Sequence, residues 1–224
     1  MGLIQSAIAP AFIGLVYIFI RDKYEKEPLS LLLIGTLYGI ISTGIIYAAS
    51  LWLEQKIVHE DILMLDILFD SFISSSALEE GVKYILLFFL IKKNKNFNEP
   101  FDGIVYSVFI SLGFAGTENI IYVLNPEFGG YNTSLMRAII SVPCHGLFGV
   151  IMGYYFAFSK FEFKKYKKLK AFLYPMVIHG IYNFILLVSK NYYLIILVPY
   201  ILFLWYDSLK KIKILLERSP FKRK

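Results

Sequence analysis

Long apolar stretches separated by short polar segments run along almost the whole chain. Seven stretches approach or exceed the roughly 20 residues that a helix needs to cross a bilayer. They are residues 3–20, 29–53, 65–91, 102–124, 134–158, 171–189 and 192–206. The pattern predicts an all-α bundle of about seven transmembrane helices, in which the last stretch also allows a hairpin or an eighth span. Residues 1–224 are expected to form one membrane domain, with a motif-bearing core at 65–189.

The composition agrees with this pattern. Of the 224 residues, 57 % are hydrophobic and only 18 % are charged, whereas a soluble domain has about 25 % charged residues. This balance excludes a disordered chain, a coiled coil and an ordinary soluble enzyme. The single cysteine, Cys144, excludes an internal disulfide. We interpret the net charge of +6 as a sign of membrane topology and expect no nucleic-acid partner.

The basic residues alternate between the two sides of the predicted spans. Nineteen of the 23 Lys and Arg residues follow the first, third, fifth and seventh spans. The exceptions are Lys83, inside a span, and three residues on the opposite side: Lys56, Arg137 and Lys190. Because basic residues mark the cytoplasmic side, the N-terminus is predicted outside and the C-terminus in the cytoplasm. The basic clusters at 160–170 and 210–224 are also suited to anionic lipids.

The third predicted span contains two adjacent carboxylates. A charge at the bilayer centre costs about 2.5–3.5 kcal/mol or more, so such residues usually face the bundle interior and serve function. Lys83 follows Glu79 by four residues and Glu80 by three, so its ammonium can neutralise one carboxylate. The carboxylates point about 100° apart, so we expect only one to reach the best partner geometry. The other suits general acid–base chemistry, although a Glu–Lys pair that locks helix register is the alternative.

Four further polar residues lie inside later spans. Glu118 has no cation within one helical turn, so it needs a partner from another helix or a metal ion. His145 lies in the fifth span, and His179 and Asn183 share one face of the sixth. At 1.5 Å per residue, Glu79, Glu118 and both histidines lie about 9–21 Å from the outer surface. This predicts one shared site in the middle and outer half of the membrane, unless each residue is simply a satisfied structural group.

Other sequence features are interpreted as structural or incidental. Asp102 begins the fourth span, where a capping or interfacial role is expected. His59 falls in a polar outside loop. The small-residue spacings Gly35-x-x-x-Gly39 and Gly149-x-x-x-Gly153 predict close approach of helix backbones.

Glutamates and histidines inside a bundle are the parts of a hydrolase that activates water. In one mechanism, Glu118, His145 and His179 bind Zn²⁺ and leave a fourth position for water. Glu79 or Glu80 then acts as the general base, and the bound metal lowers the pKa of the water molecule. The three ligands come from separate helices, so their spacing along the chain does not identify a metal site.

A second mechanism uses no metal. A glutamate and a histidine deprotonate water directly, and His179 with Asn183 stabilises the oxyanion. Two other classes of function stay open from the residues alone. A carboxylate-bearing transporter needs a polar path to both faces, and a non-catalytic scaffold needs only a surface for a partner helix.

Four motifs, in order, resemble the PrsW family of bacterial membrane proteases, which shares a superfamily with the type II CAAX prenyl endopeptidases. They cover residues 79–183 and are Glu79-Glu80-Gly81-Val82-Lys83, Asp102-Gly103-Ile104-Val105-Tyr106 with Gly113-Phe114-Ala115-Gly116-Thr117-Glu118-Asn119, Pro143-Cys144-His145-Gly146-Leu147-Phe148-Gly149, and His179-Gly180-Ile181-Tyr182-Asn183. The resemblance implies a multi-pass protein of the bacterial cell membrane, with functional weight on Glu79, Glu80 and His179.

The resemblance also implies a substrate, and the chain departs from the pattern of the CAAX endopeptidases at one position. The implied activity is a first cut in a single-span, membrane-anchored anti-sigma factor near its extracytoplasmic side. This cut starts regulated intramembrane proteolysis and frees an extracytoplasmic-function sigma factor. The CAAX endopeptidase pattern places a histidine four residues after a phenylalanine, whereas Phe114 is followed at that spacing by Glu118. Direct transfer of the metal-free mechanism and cleavage of prenylated peptides are therefore less expected.

Overall fold

The computed structural model describes residues 2–54, 63–162, 166–188 and 192–222, and these residues form helices and short connections. The helices are α1 (Leu3–Arg21), α2 (Leu29–Glu54), α3 (Leu63–Phe69), α4 (Leu78–Ile91), α5 (Asp102–Val123), α6 (Tyr131–Ile139), α7 (Ser141–Phe161), α8 (Tyr166–Val188) and α9 (Tyr193–Glu217). A π-helical segment, Asp70–Ala77, joins α3 to α4. The all-α prediction is confirmed. Lys56, His59 and Lys190 lie outside the described residues.

Six helical segments of the described chain are long and apolar enough to span a membrane, with α6 and α7 counted together. The predicted span at 65–91 is not among them, because it is divided into α3, the π segment and α4 and carries several charges. The predicted span at 134–158 is interrupted at Ile140, where α6 ends and α7 begins. The final stretch is one helix, not a hairpin, and it continues to Glu217 instead of ending near 206.

Helix α5 lies at the centre of the bundle and packs against α1, α2 and α7. Glycines allow this close packing. A Cβ on Gly39 of α2 would lie 2.1 Å from the Ile110 carbonyl oxygen, and one on Gly153 of α7 would lie 2.2 Å from the Gly103 carbonyl oxygen. A Cβ on Gly35 would make only ordinary contacts, at 3.5 Å or more. The predicted close approach of backbones therefore occurs at Gly39 and Gly153 but not at Gly35.

One end of the bundle gathers the connections that are rich in basic residues. Arg218 pairs with Glu162 after α7, and the Ser219 hydroxyl donates a hydrogen bond to Glu99 between α4 and α5. The Asn98 amide donates to Glu25 between α1 and α2 at 3.1 Å. These contacts bring together the segments predicted to face the cytoplasm.

The other end of α5 lies near the start of the chain. The Asn119 amide donates a hydrogen bond of 2.8 Å to the carbonyl oxygen of Ala7 in α1. The hydroxyls of Ser134 in α6 and Ser6 in α1 are 2.8 Å apart. Helix α5 therefore runs from the end with the basic connections to the end that contacts the beginning of α1.

Candidate functional site

The first turn of α4 carries two buried carboxylates that share one cation. Glu79 is 7 % exposed and Glu80 is fully buried. The Lys83 ammonium lies 3.2 Å from Glu79 Oε2 and 2.9 Å from Glu80 Oε1. Lys83 therefore contacts both carboxylates and lies closer to Glu80. The long lysine side chain places its ammonium between the i−4 and i−3 positions, so it contacts both.

Lys83 also contacts groups from other helices. Its ammonium lies 3.4 Å from His145 Nδ1 on α7 and 3.8 Å from the centre of the Phe114 ring on α5. The negative face of an aromatic ring attracts a cation, and this attraction strengthens when water is excluded. Only 1 % of Lys83 is exposed. The ammonium is therefore held by carboxylates, an imidazole and an aromatic face.

His179 reaches the same carboxylates from α8. Its Nδ1 lies 3.1 Å from Glu80 Oε1, and its ring stacks on Phe148 with centroids 4.7 Å apart. Gly180 allows α8 to lie close to the π segment, because a Cβ there would come within 2.3 Å of the Phe72 ring. The sequence places glycine next to the histidine for a steric reason.

Asn183 connects to the site through a serine. Its side-chain amide donates a 2.7 Å hydrogen bond to Ser75 Oγ, and Ser75 Oγ donates to Glu79 Oε1 at 3.2 Å. Ser75 lies in the π segment, a kind of helical irregularity that often occurs at functional sites. Ser75 had no predicted role, although the serine run just before Glu79 was a visible signal. Asn183 therefore supports Glu79 through Ser75, because its side-chain amide donates to the serine hydroxyl and not directly to Glu79.

Glu118 finds a cation on another helix. Its Oε2 lies 2.5 Å from Arg137 Nη2 on α6 and 3.3 Å from His145 Nε2. The guanidinium carbon of Arg137 also lies 3.8 Å from the centre of the Tyr122 ring. In the sequence, Arg137 counted only as a topology residue. Its role was hidden because α6 approaches α5 only in the folded bundle.

Four buried side chains offer a set of donor atoms to a metal ion. One ligand atom from each of Glu79, Glu80, His145 and His179 lies within 4.8 Å of the others. The predicted ligands were Glu118, His145 and His179. The structure brings the two histidines together with carboxylates of α4. Glu118 is absent from this set among the described residues, and it contacts Arg137 and the Nε2 atom of His145.

The donor types fit a transition metal such as zinc, which takes imidazole nitrogen and carboxylate oxygen. Glu80 Oε2 is buried and has no hydrogen-bond partner within the described chain, so one acceptor is left for a ligand. The Lys83 ammonium contacts three of the four donor residues. A metal held here would therefore replace contacts that Lys83 makes.

A partly open cavity of about 290 Å³ lies beside the cluster, between α2 and α5. Glu79 and Glu118 border it, whereas Glu80 and the two histidines do not. Its other walls carry both hydroxyl and aromatic groups, including Thr43, Ser50 and Tyr122. The cavity therefore gives Glu79 the most direct access among the four possible metal ligands.

Comparisons with known proteins agree with these observations. A model of the PrsW family intramembrane metalloproteases matches residues 27–206. Proteins named Protease PrsW are similar over almost their full length. That of Geobacillus kaustophilus (strain HTA426) is 38 % identical over 95 % of this chain and 91 % of the relative.

Two further relatives have the same name. That of Clostridioides difficile (strain 630) is 35 % identical over 98 % of this chain and 93 % of the relative. That of Bacillus subtilis (strain 168) is 34 % identical over 95 % and 94 %. No solved structure matches the chain. The resemblance predicted from the four motifs is confirmed, and the chain belongs to the PrsW family of intramembrane metalloproteases, as a multi-pass peptidase of the bacterial membrane.

Proposed function

We propose that this protease makes the first cut in a single-span, membrane-anchored anti-sigma factor and so releases an extracytoplasmic-function sigma factor. The observation that carries the proposal is the buried cluster of Glu79, Glu80, His145 and His179 beside a cavity that reaches Glu79. The family supports proteolysis within the membrane. The substrate rests on the sequence resemblance.

The positions of the two carboxylates suggest different roles. Glu79 borders the cavity and is therefore the group that takes the proton from the attacking water. Glu80 is fully buried and contacts both Lys83 and His179, so it holds these two groups in place. Ser75 and Asn183 fix the other oxygen of Glu79.

Glu80, His145 and His179 would hold the zinc ion, which matches the three protein ligands of many catalytic zinc sites. When bound, zinc lowers the pKa of its water and polarises the scissile carbonyl group. Glu118 orients His145 from its second ring nitrogen, and Arg137 keeps that carboxylate charged and in place. Such outer contacts commonly set the affinity of a metal site.

The orientation in the membrane is part of the proposal. The end that gathers the connections after α1, α4, α7 and α9 would face the cytoplasm, where basic residues are favoured. The basic residues there would contact anionic lipid headgroups. A substrate would then reach Glu79 from the opposite, extracytoplasmic half of the bundle.

The test uses Glu79→Ala and His179→Ala in cells that carry an epitope-tagged anti-sigma factor. Both variants are expected to abolish the shortened product on an immunoblot while still inserting into the membrane. Glu127→Ala is the matched control, because Glu127 is exposed near the same end of α5. Normal processing by both site variants would overturn the proposal. Cleavage of a different tagged membrane protein, with this one uncut, would refute only the substrate.

A further inference from the structure

A second group of carboxylates meets at the end of α5 that lies away from Glu118. Its members come from the connections before α2 and before α5 and from the first residue of α5: Asp22, Glu25, Glu27, Glu99 and Asp102. They form two sets of three, whose ligand atoms lie within 4.8 Å of one another, and Asp102 belongs to both sets. Four of the five are almost completely buried, and Glu25 is half-buried. We call these five residues the acidic cluster.

Backbone amides hold one oxygen of each aspartate. Asp102 Oδ2 accepts hydrogen bonds from the N–H groups of Asn98, at 2.9 Å, and Glu99, at 2.8 Å. Asp22 Oδ2 accepts one from the N–H of Glu27, at 3.0 Å. Asp102 therefore organises the segment before α5, which differs from the capping or interfacial role expected from the sequence.

Side-chain donors hold one oxygen of each glutamate. The Tyr106 hydroxyl donates to Glu27 Oε2, and the Ser219 hydroxyl donates to Glu99 Oε2. The Asn98 amide donates to Glu25 Oε1. Each carboxylate in the acidic cluster is thus positioned by one of its oxygens, in the way that outer contacts orient metal ligands.

The second oxygen of each carboxylate is buried and accepts no hydrogen bond from an amide or hydroxyl group in the described parts of the chain, although the Glu27 and Asp102 carboxyls are close enough to share a proton. One amide oxygen also accepts no such hydrogen bond, so six oxygens share this property: Asp22 Oδ1, Glu25 Oε2, Glu27 Oε1, Asn98 Oδ1, Glu99 Oε1 and Asp102 Oδ1. Burying a charged oxygen without compensation is costly. Five such carboxylate oxygens, beside one neutral amide oxygen, form a place where a bound cation would be stabilised.

Nearby lysines do not fill this need by direct contact. Lys160 interacts electrostatically with Asp102 and Glu27, but its ammonium donates its hydrogen bond to the Phe97 carbonyl oxygen. The Lys26 ammonium donates to the Phe19 carbonyl oxygen. Neither ammonium makes a hydrogen bond or close ion pair with the acidic cluster among the described contacts.

We propose that the acidic cluster binds a hard divalent cation, Mg²⁺ or Ca²⁺. Both ions prefer oxygen ligands, Mg²⁺ in octahedral geometry and Ca²⁺ with six to eight oxygens. The acidic cluster and Asn98 offer oxygen alone, without imidazole or thiolate, which distinguishes it from a zinc site. The bound ion joins the α1–α2 connection, the α4–α5 connection and, through Ser219, the segment after α9. Its role is structural and does not depend on the identity of the protease substrate.

The opposing possibility is that protons, not a metal, neutralise the carboxylates. Burial raises the pKa of Glu27 to about 7 and that of Glu99 to about 6, so protons are available to this cluster near neutral pH. The two possibilities make opposite predictions for a change of carboxylate to amide. An amide replaces a protonated carboxyl without loss, but it weakens a cation site.

The experiment measures thermal unfolding of the purified full-length protein in detergent after treatment with EDTA. A thiol-reactive fluorescent dye reports unfolding, because the only cysteine, Cys144, is fully buried. Mg²⁺ or Ca²⁺ at about a hundred times its Kd is expected to raise the Tm by about 5–10 °C. Potassium chloride of equal ionic strength should not. The lower midpoint concentration identifies the preferred ion.

Glu99→Gln and Asp102→Asn are the discriminating variants. Without a divalent ion they should melt at or above the wild-type temperature, because repulsion is relieved. With the ion they should melt below it. Glu217→Gln, an exposed acid at the same end, should follow the wild type in both conditions. No shift with either ion, or an equal shift in wild type and both variants, would overturn the proposal. The same titration on His179→Ala separates this site from the group formed by Glu79, Glu80, Glu118, His145 and His179, which we call the Glu–His cluster, and the shift should be retained.

Terbium luminescence gives a second reading if a variant does not fold. Tb³⁺ takes oxygen ligands as Ca²⁺ does and is excited by a nearby tyrosine, here Tyr106. We expect saturable Tb³⁺ emission from the wild type. Added Ca²⁺ or Mg²⁺ should displace Tb³⁺ and lower this emission, and Tyr106→Phe should give weaker emission. Emission that neither ion displaces, or none at all, would contradict the proposal.

Discussion

The two carboxylate clusters at the ends of α5 are buried alike but neutralised differently. In the Glu–His cluster, side-chain cations of the chain itself touch the carboxylates: Lys83 contacts Glu79 and Glu80, and Arg137 contacts Glu118. In the acidic cluster, amide and hydroxyl groups hold one oxygen each and leave the others without such a donor in the described chain. The first cluster is therefore a site that can persist without an ion. The second lacks such contacts, and in our proposal a divalent ion neutralises it.

Metal removal should affect the two clusters most differently. We expect about one zinc per chain in purified wild-type protein, and loss of that zinc in His145→Ala. Chelation should abolish proteolysis, and only zinc should restore it, because Mg²⁺ and Ca²⁺ prefer oxygen ligands. The measurement combines elemental analysis with cleavage of a tagged substrate. A zinc-free preparation with full activity would eliminate the metal mechanism.

Replacing the internal cation should be the most destabilising single change. Lys83→Met leaves the Glu79 and Glu80 carboxylates buried without their ammonium, and breaking such a pair costs about 3–5 kcal/mol. We expect a large fall in Tm in the Cys144 dye assay. Lys92→Met, an exposed lysine just after the same helix, is the control and should change little. If both variants melt alike, Lys83 does not stabilise the cluster.

The contact between α8 and the π segment should be sensitive to one methyl group. Gly180→Ala places a Cβ within 2.3 Å of the Phe72 ring, and overpacking of this kind costs about 1–3 kcal/mol. We expect a lower Tm and slower cleavage, since His179 and Ser75 lie at this contact. Gly44→Ala has no heavy atom within 4 Å of its new Cβ and should not destabilise the protein. Equal effects of the two changes would refute the steric role of Gly180.

The smallest effect is expected at the rim of the Glu–His cluster. The Arg137 and Glu118 side chains are 14 % and 17 % exposed, so their pair is less desolvated than that of Lys83. Arg137→Gln should cost about 1 kcal/mol of stability. A double-mutant cycle with Glu118→Gln measures the coupling, and a coupling energy near zero would show that Arg137 does not act through Glu118.

Much of the Glu–His cluster was predictable because its members interrupt apolar spans. Glu79, Glu118, His145 and His179 stand out in such sequence, since each is costly in lipid unless it faces a partner. Arg137 and Ser75 did not stand out. Arg137 lies near a predicted span edge where basic residues are ordinary, and Ser75 acquires its role only when the π segment aims it at Glu79.

The acidic cluster was not predictable for a different reason. Asp22, Glu25 and Glu99 lie in polar connections, where carboxylates carry no local signal of burial. Glu99 lies more than 70 residues from Asp22 and Glu25 along the chain, and it meets them only when the α1–α2 and α4–α5 connections pack together. Asp102 alone was noticed, and its position at a helix start suggested a simpler role. Long-range packing thus determines which charges become a site.

The π segment sets how α4 is rotated about its axis relative to α3. Widening the turns between Phe69 and Leu78 changes the rotational phase between the two helices that it joins. Removing one residue from a helix turns everything beyond it by about 100°. A one-residue deletion in 70–77 would therefore rotate α4 about its axis relative to α3. Either Glu79 and Glu80 or the side chains of α3 would then face the wrong side of the bundle, although no catalytic side chain had been altered.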